Sequence, residues 1–401
     1  MAKQLYLNLK TGKMTPCNAL TVAGCTAHGH GKDGLAGGSG VPNGAQNPYL
    51  EGLDQSQLDA VFERFKQTQA DEVLIIEDGD VYASSPAIAD LTSKIAATDT
   101  LIEGLKELDD EAVVRVGDLG LDEKHIWSDD DIISKKEAID LVRLEKAIAR
   151  EERTKELSAI AEAEGLQVLS EYGEGALGIA EATGTFEPNT KEWLLNRAQG
   201  IGGSDKIGYL NEDNQFVPYE GGQLRHMLST KTPEAIAKIE ATARTEALKP
   251  GQVDESPLPI KIGNALERTI QFEFAVNNPQ YNHLEDKSSR ISSGRPWHRF
   301  NPDGVLQEKE TGAYGIFEAK TSRDAETYAK ALPGYKAQCL HNAAAADLDF
   351  AVLVADIEGE SEQRVVRLDF SKEEREAYRK QLDKVWLWVK PENDRRLGRF
   401  R

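Results

Sequence analysis

Two short apolar runs near the C-terminal third of the chain constrain its fold more than any other feature. Asp303 sits in a Pro-Asp-Gly bend just before the apolar run 304–306. After a polar turn, a second run, 315–320, ends in Glu318 and Lys320. Because residues two apart in a strand point to the same face, Glu318 and Lys320 should project together. A hairpin between the two runs would bring the Asp303 carboxylate beside them.

Two carboxylates and a lysine on one face of a sheet suit a divalent metal ion and an attacking water molecule. Hard oxygen ligands hold Mg²⁺ in proteins, and a lysine can orient or deprotonate the nucleophile. A surface hairpin with an ordinary Glu–Lys pair shows the same local pattern. The hairpin alone therefore leaves both interpretations open, and the rest of the chain must decide between them.

Composition indicates a soluble, cytoplasmic protein large enough for two domains. The chain has 401 residues, of which 39% are hydrophobic and 29% are charged, as expected for a globular protein. No apolar run is long enough to cross a bilayer, and the N-terminus lacks a signal-peptide core. Three cysteines (Cys17, Cys25 and Cys339) do not make a disulfide framework, which favours a reducing compartment.

The net charge of −20 is unevenly distributed along the chain. Residues 191–401 hold 31 basic and 33 acidic side chains, whereas residues 1–190 hold 17 basic and 35 acidic ones. Nearly all of the acidic surplus is therefore N-terminal. The C-terminal half can form a basic channel for phosphates, but the N-terminal half is not expected to bind them.

We predict an α/β protein with two domains, and the predicted elements of the N-terminal one are strands and helices. A hairpin is expected over 73–83, helices over 54–69, 87–108 and 134–164, and a linker over 165–189. The glycine-rich stretch 28–47 lacks the ending of a phosphate-binding loop. Residues 1–185 then form an acidic α+β accessory domain without an assigned role, and residues 186–401 form a second domain.

The second domain begins with a capped helix and a glycine-rich turn. Thr190 is predicted to cap a helix that bears Trp193 and Arg197. The turn 200–205 follows and ends in Ser204 and Asp205, and a further helix is expected after it. Backbone N–H groups at such a turn can bind a phosphate, with Ser204 and Arg197 as additional donors.

Later elements of the second domain carry further candidate residues. A helix from 263 to 274 places Glu267 on its polar face. After the hairpin, a helix starting at 333–334 is predicted to carry Tyr335 and Gln338. The continuous apolar run 350–355 predicts a buried strand.

Taken in order, these elements resemble the PD-(D/E)XK nuclease superfamily, and within it the lambda-exonuclease or YqaJ-type viral recombinase family. The resemblance covers residues about 190–390 and includes none of the N-terminal half. Motifs that match in the family's order are Trp193-x-x-x-Arg197, the turn ending in Ser204-Asp205, Gly263-x-x-x-Glu267, Pro302-Asp303-Gly304, Glu318-Ala319-Lys320 and Tyr335-x-x-Gln338.

The resemblance implies a nuclease core, a central mixed sheet flanked by helices, and a role for each matched residue. Asp303, Glu318 and the carbonyl of Ala319 would hold Mg²⁺, which Mn²⁺ can replace, and Glu267 would reach the metal from its helix. Lys320 would orient or activate the water. The 5′-terminal phosphate of a DNA end would be bound by Arg197, Ser204 and Gln338, with Tyr335 on the same wall.

The implied function is a Mg²⁺-dependent exonuclease that degrades linear double-stranded DNA from its 5′ ends. The remaining 3′ single strands would feed phage-type recombination by single-strand annealing, with an annealing protein as a partner. The family also includes a ring-shaped trimer, so the resemblance allows a homo-oligomer. A bacterial or phage-infected cytoplasm is the expected location.

A second hypothesis is an iron–sulfur helicase-associated nuclease. It is disfavoured because the three cysteines of this chain are fewer than the usual four thiolate ligands. A third hypothesis is a nuclease-fold scaffold in a defence or regulatory complex, whose acidic half binds a protein or mimics DNA.

Overall fold

The protein is a mixed α/β chain that divides into two compact units. The computed structural model describes residues 4–8, 13–17, 74–77, 80–83, 86–121, 127–163, 169–171, 177, 180–186, 190–246, 256–285, 288–360 and 362–396. The first unit comprises Met1–Val168 and Val253–Pro279, and the second comprises Leu169–Gln252 and Gln280–Arg401. The predicted helix over 54–69 and the glycine-rich stretch 28–47 lie outside the described residues. None of the helices in the described part is long and apolar enough to span a membrane.

The first unit combines a small sheet, a hairpin and long helices. Its strands are Gln4–Asn8 (β1), Lys13–Cys17 (β2), Leu74–Glu77 (β3), Asp80–Ala83 (β4), Val113–Arg115 (β5) and Ile132–Ser134 (β6). Its helices are Pro86–Lys106 (α1), Lys135–Ala163 (α2) and Leu258–Asn277 (α6, numbered by its place in the chain). One sheet has the order β2-β1-β3-β4, and β5 pairs with β6. The predicted hairpin over 73–83 and the helices over 87–108 and 134–164 are confirmed.

Local signals in the sequence explain where α2 begins and how it is held. Glu137 Oε2 accepts hydrogen bonds from the backbone N–H and the hydroxyl of Ser134, at 2.9 and 2.6 Å, which closes a capping box. A 3.0 Å hydrogen bond between the hydroxyls of Thr154 and Thr269 then joins α2 to α6. Apolar residues of α1 and α2, such as Ile102 and Leu141, form the buried core of this unit.

The second unit contains the larger sheet and the residues that the sequence singled out, except Glu267. Its strands are Ser170–Glu171 (β7), Ala180–Gly184 (β8), Gly208–Leu210 (β9), Phe216–Pro218 (β10), Tyr281–Glu285 (β11), Ser289–Ser292 (β12), Arg295–Phe300 (β13), Gly304–Glu308 (β14), Tyr314–Ser322 (β15), Phe350–Ile357 (β16) and Arg364–Asp369 (β17). Its helices are Lys191–Ala198 (α3), Gly221–Met227 (α4), Pro233–Thr242 (α5), Ala325–Ala346 (α7) and Lys372–Arg396 (α8).

The main sheet has the order β17-β16-β15-β14-β11-β7. Strands β14 and β15 are antiparallel neighbours, as the hairpin prediction requires, while β15 and β16 run parallel. A crossover connection must join two parallel neighbours, and α7 provides it. Residues 350–355 are all buried, which confirms that the continuous apolar run is an internal strand. Smaller sheets have the orders β13-β12-β8 and β10-β9.

Helix α7 starts earlier than its sequence suggested. We predicted a start at 333–334, but the helix begins at Ala325, with Asp324 as its N-cap accepting the Thr327 N–H at 2.6 Å. Pro333 therefore lies inside the helix, where it lacks the N–H of a normal helical residue. Packing of α7 on the sheet outweighs this loss, because the small residues 343–346 are fully buried there.

Two further predictions about irregular segments were wrong. The predicted linker 165–189 contributes β7 and β8, which pair with β11 and β12 in the second unit. After the glycine-rich turn, the chain forms the β9–β10 hairpin instead of a further helix. Both errors concern pairings set by tertiary partners, which local sequence does not reveal. The compact units do not follow the 185/186 boundary, so independent folding of 186–401 stays a prediction.

Candidate active site

The hairpin β14–β15 brings the predicted acids and the lysine together. Strands β14 and β15 pair from Gly304, opposite Phe317, onward, which leaves the preceding residue, Asp303, beside Glu318 and Ala319 in the middle of β15. The backbone N–H of Ala319 donates to Asp303 Oδ2 at 2.8 Å. On the same strand, Lys320 Nζ lies 2.5 Å from Glu318 Oε1. A fully buried carboxylate, a half-buried one and a lysine thus meet at one edge of the hairpin.

Helix α7 supplies two amide groups to the buried carboxylate. Gln338 Nε2 donates to Glu318 Oε1 at 2.5 Å, and Asn342 Nδ2 donates to Oε2 at 2.9 Å. Sequence reasoning assigned Gln338 to a terminal phosphate and missed Asn342. A signal for Asn342 existed, because residues four apart on a helix share a face. Both amides fix the orientation of Glu318.

The ionisable groups at this edge shift one another's pKa values. Burial, reinforced by the charge of Asp303, raises the pKa of Glu318 to about 7. Burial also raises the pKa of Asp303, although Lys320 and the Ala319 N–H oppose the shift. Burial acts to lower the pKa of Lys320, but the two carboxylates outweigh it and the pKa is raised. Buried acids that resist losing their protons are typical of sites that concentrate negative charge for a cation.

The donors at this edge fit a hard divalent cation that takes part of its coordination from water and substrate. Within the described residues, no group of three or more His, Cys, Asp or Glu side chains could hold a metal. Mg²⁺ is commonly bound by one or two carboxylates together with water and substrate phosphates, and Asp303 and Glu318 supply two. In a strand, the N–H and C=O of one residue point to the same edge. The carbonyl of Ala319 therefore points towards Asp303.

The residues predicted for the terminal phosphate form a second cluster. The Arg197 guanidinium donates to the Ser204 hydroxyl and lies 4.5 Å from the centroid of the Trp193 ring. Next to Ser204, the Asp205 carboxylate is buried and lies 2.9 Å from Lys231 Nζ. Ser204 itself is exposed. The buried Asp205–Lys231 ion pair stabilises the turn. The half-buried Arg197 and the exposed Ser204 are the donors on its outer side.

Close packing of the glycine-rich turn on α7 connects the two clusters. A Cβ atom added at Gly203 would lie 2.9 Å from Gln338 Cγ and 2.9 Å from Asn342 Oδ1. Only glycine fits so close to the helix, and the approach places Ser204 beside the face of α7 that holds Glu318. The turn ends in a three-residue 3₁₀ helix, Gly203–Asp205, so a helix dipole adds nothing to phosphate binding here.

Tyr335 lies between two lysines. Its ring centroid is 5.5 Å from Lys320 Nζ and 4.9 Å from Lys206 Nζ. The sequence predicted Tyr335 as a wall residue but did not point to Lys206. No local pattern marks Lys206, because its position depends on the turn and on the packing of α7.

Glu267 is the candidate that the structure places in the other compact unit. It lies half-buried on α6, and the Gln271 amide approaches its Oε1 at 3.5 Å. Residues of α6 belong with those of α2 in the first unit. A contribution of Glu267 to the metal therefore stays a prediction.

Comparisons with known proteins give only a distant structural likeness. No protein-family profile matches the chain, and no curated protein matches its sequence. An alkaline exonuclease from Laribacter hongkongensis is similar at a TM-score of 0.33 and 14% identity, over 51% of this chain and 99% of that one. The same exonuclease in complex with dAMP gives a TM-score of 0.38 and 12% identity, over 53% of this chain and 100% of that one. The function proposed for this chain therefore rests on its own side chains.

Proposed function

We propose that this protein is a Mg²⁺-dependent deoxyribonuclease that degrades linear double-stranded DNA from its 5′ ends. The observation that carries the proposal is the meeting of Asp303, Glu318 and Lys320 where the start of β14 adjoins the middle of β15, with the Ala319 N–H fixing Asp303. Two acids and a lysine in this arrangement are suited to phosphodiester hydrolysis. The acidic surplus in residues 1–190 is expected to repel phosphates, but residues 191–401, which carry the site, are close to neutral.

The protein's own groups would position the reacting atoms. Asp303, Glu318 and the Ala319 carbonyl would hold Mg²⁺, which would polarise the scissile phosphate and lower the pKa of the attacking water. Lys320 keeps its proton because its pKa is raised, so its ammonium would orient the water and stabilise developing negative charge rather than remove a proton. Gln338 and Asn342 would keep Glu318 from rotating during the reaction.

The cluster of Arg197 and Ser204 would select the end of the strand. An arginine presents a forked set of donors to phosphate oxygens, and the Trp193 ring holds the guanidinium in place at 4.5 Å. The turn lies against the face of α7 that carries Gln338. A terminal phosphate bound here would set the distance from the strand end to Asp303 and Glu318. This geometry supports exonucleolytic cleavage from a 5′-phosphorylated end.

The biological setting follows from the family resemblance and is part of the same proposal. Removal of one strand from each end leaves 3′ single strands, the substrate of single-strand annealing. An annealing protein would then be the functional partner, and a ring-shaped trimer would keep the enzyme on its substrate. Residues 1–185 have no role assigned by these arguments.

The test is nucleotide release from linear duplex DNA by the full 401-residue chain with Mg²⁺, with covalently closed circular DNA as the control. We expect release from the linear duplex, no release from the circle, and none with a chelator. Labels at the 5′ or the 3′ terminus distinguish the direction, and the 5′ label should be lost first. Equal degradation of both forms, or release that persists without a divalent metal, would overturn the proposal.

A further inference from the structure

Lys206 adopts a backbone conformation that lysine rarely takes. Its φ of 45° and ψ of 80° lie in the left-handed region, and it is one of three non-glycine residues with positive φ among those described. Such a conformation is unfavourable for a residue with a side chain and persists where the surroundings impose it. Here the residue follows the buried Asp205 and precedes the buried Ile207, so the chain is fixed on both sides.

With this backbone conformation, the Lys206 side chain lies against α7 at Gly334. An added Cβ at Gly334 would lie 3.3 Å from both Cδ and Nζ of Lys206. Glycine is less favourable than alanine inside a helix, and Gly334 leaves α7 without a side chain where the lysine passes. The Lys206 ammonium then reaches the ring of Tyr335, 4.9 Å from its centroid.

Lys206 differs from neighbouring lysines because no acid pairs with it in the described part of the chain. Lys231 is paired with Asp205 at 2.9 Å, and on α7 itself Lys330 is paired with Glu326 at 2.6 Å. At Lys206 the nearby charges are those of Lys320, on the same tyrosine ring at 5.5 Å, and of Glu318. The Glu318 carboxylate is paired with Lys320 at 2.5 Å rather than with Lys206. The Lys206 ammonium is therefore available to an added anion.

We propose that Lys206 is a phosphate-binding residue of this site, which contacts a backbone phosphate of the DNA strand held at Asp303 and Glu318. The inference rests on the proposed nuclease function and adds a residue to it. Tyr335 serves as the surface against which both ammonium groups lie, in a cation–π arrangement. Lys320 acts on the reacting phosphate, and Lys206 acts on a neighbouring phosphate that orients the strand.

The experiment compares Lys206→Met with wild type and with Lys330→Met, an exposed lysine on the same helix. Initial rates on linear duplex give KM and kcat, and fluorescence anisotropy with Ca²⁺ in place of Mg²⁺ gives Kd at several salt concentrations. We expect Lys206→Met to raise KM about tenfold with a smaller change in kcat, and to reduce the slope of log Kd against log salt by about 0.9. Lys206→Arg should restore most of the affinity, and Lys330→Met should match wild type.

A second variant keeps the test valid if Lys206→Met does not fold. Gly334→Leu leaves Lys206 in place but fills the space through which its side chain passes, and leucine is a good helix former. It should raise KM in the same direction without lowering the thermal midpoint. If wild type cleaves DNA while both variants keep the wild-type KM and salt slope, the role of Lys206 is overturned alone. If wild type neither binds nor cleaves linear duplex, the proposed nuclease function falls with it.

Discussion

Helix α7 carries two buried polar groups that differ in charge. In the first, Gln338 and Asn342 donate to the Glu318 carboxylate. In the second, His341 Nδ1 accepts from the Tyr378 hydroxyl at 2.8 Å, and His341 Nε2 donates to the Arg299 carbonyl at 2.8 Å. The first group contains an acid, a lysine and a second acid nearby. The second group contains only neutral partners.

Burial disfavours the charged form in both groups, so it raises the pKa of the acid and lowers the pKa of the histidine. The pKa of Glu318 is raised to about 7, and the pKa of His341 is lowered to about 4. The histidine loses its charge and becomes a structural hydrogen-bonding group. Glu318 instead keeps Lys320 and Asp303 beside it, an arrangement that stability alone does not require. The difference shows which buried polar group of α7 is a candidate for chemistry and which one stabilises the fold.

The largest expected effect is the loss of cleavage when an acid of the first group is neutralised. Asp303→Asn and Glu318→Gln should each lower the rate by at least about 10²-fold, because a ligand of the metal is removed. Lys320→Ala should also cut the rate severely while metal binding is retained. The rate is measured on linear duplex, with Glu326→Gln as a matched change at an exposed acid of α7. Wild-type turnover in Asp303→Asn would contradict the assignment of this edge of the hairpin as the active site.

The second group should instead control stability at acidic pH. The folded-state pKa of His341, about 4, lies below its ordinary value of 6.5, so the unfolded chain binds the proton more tightly. Its contribution is complete above pH 6.5 and falls by about 3 kcal/mol as the pH drops to about 4. His298, whose pKa burial also lowers, adds a loss of the same sign. Urea unfolding between pH 7 and 4 measures the slope.

Two histidine variants sharpen this pH prediction. His341→Gln should flatten the slope, because the titrating group is gone. His226→Gln changes an exposed histidine on α4 and should leave the slope as it is. A slope that is the same in all three proteins would contradict the assignment of His341.

A smaller effect is expected when only one hydrogen bond of the second group is lost. Tyr378→Phe removes the hydroxyl that donates to His341 and leaves a buried acceptor without its partner, at a cost of about 1–3 kcal/mol. The cleavage rate of the folded variant should stay within about twofold of wild type. Denaturant unfolding and cleavage are measured on the same preparation. A large loss of activity with unchanged stability would show that the two polar groups of α7 do not act separately.

The smallest effect separates end recognition from chemistry. A pocket with Arg197 should bind a 5′-phosphate more tightly than a 5′-hydroxyl, so the phosphorylated duplex should be degraded about tenfold faster. Arg197→Ala should erase most of that preference and retain slow, metal-dependent cleavage. Initial rates on the two ends measure it, and Arg225→Ala, at an exposed position of α4, is the control. Equal rates on both ends in wild type would exclude this pocket.

Local signals in the sequence were sufficient for the hairpin that carries Asp303, Glu318 and Lys320. The bend at Asp303 and the alternation of Glu318 and Lys320 defined the hairpin, and the capping box at Ser134 marked the start of α2. These features depend on residues close together in the chain, where turn chemistry and strand periodicity act.

The parts that the sequence did not provide depend on contacts between distant segments. Asn342 and Lys206 lie at the site only because α7 packs on β15 and the glycine-rich turn packs on α7. The start of α7 was misjudged because Pro333 is tolerated in a helix that is held by its sheet. Gln338 was assigned to a phosphate, and its bond to Glu318 became visible only in the fold.

The most direct test of the central claim is a calorimetric titration of Mn²⁺ into the metal-free protein, compared among wild type, Asp303→Asn and Tyr378→Phe. Mn²⁺ uses the oxygen ligands that suit Mg²⁺. If the first group belongs to a metal site and the second is structural, wild type and Tyr378→Phe bind the ion alike, and Asp303→Asn loses at least about tenfold in affinity. Wild-type affinity in Asp303→Asn, with lost affinity in Tyr378→Phe, would contradict the account.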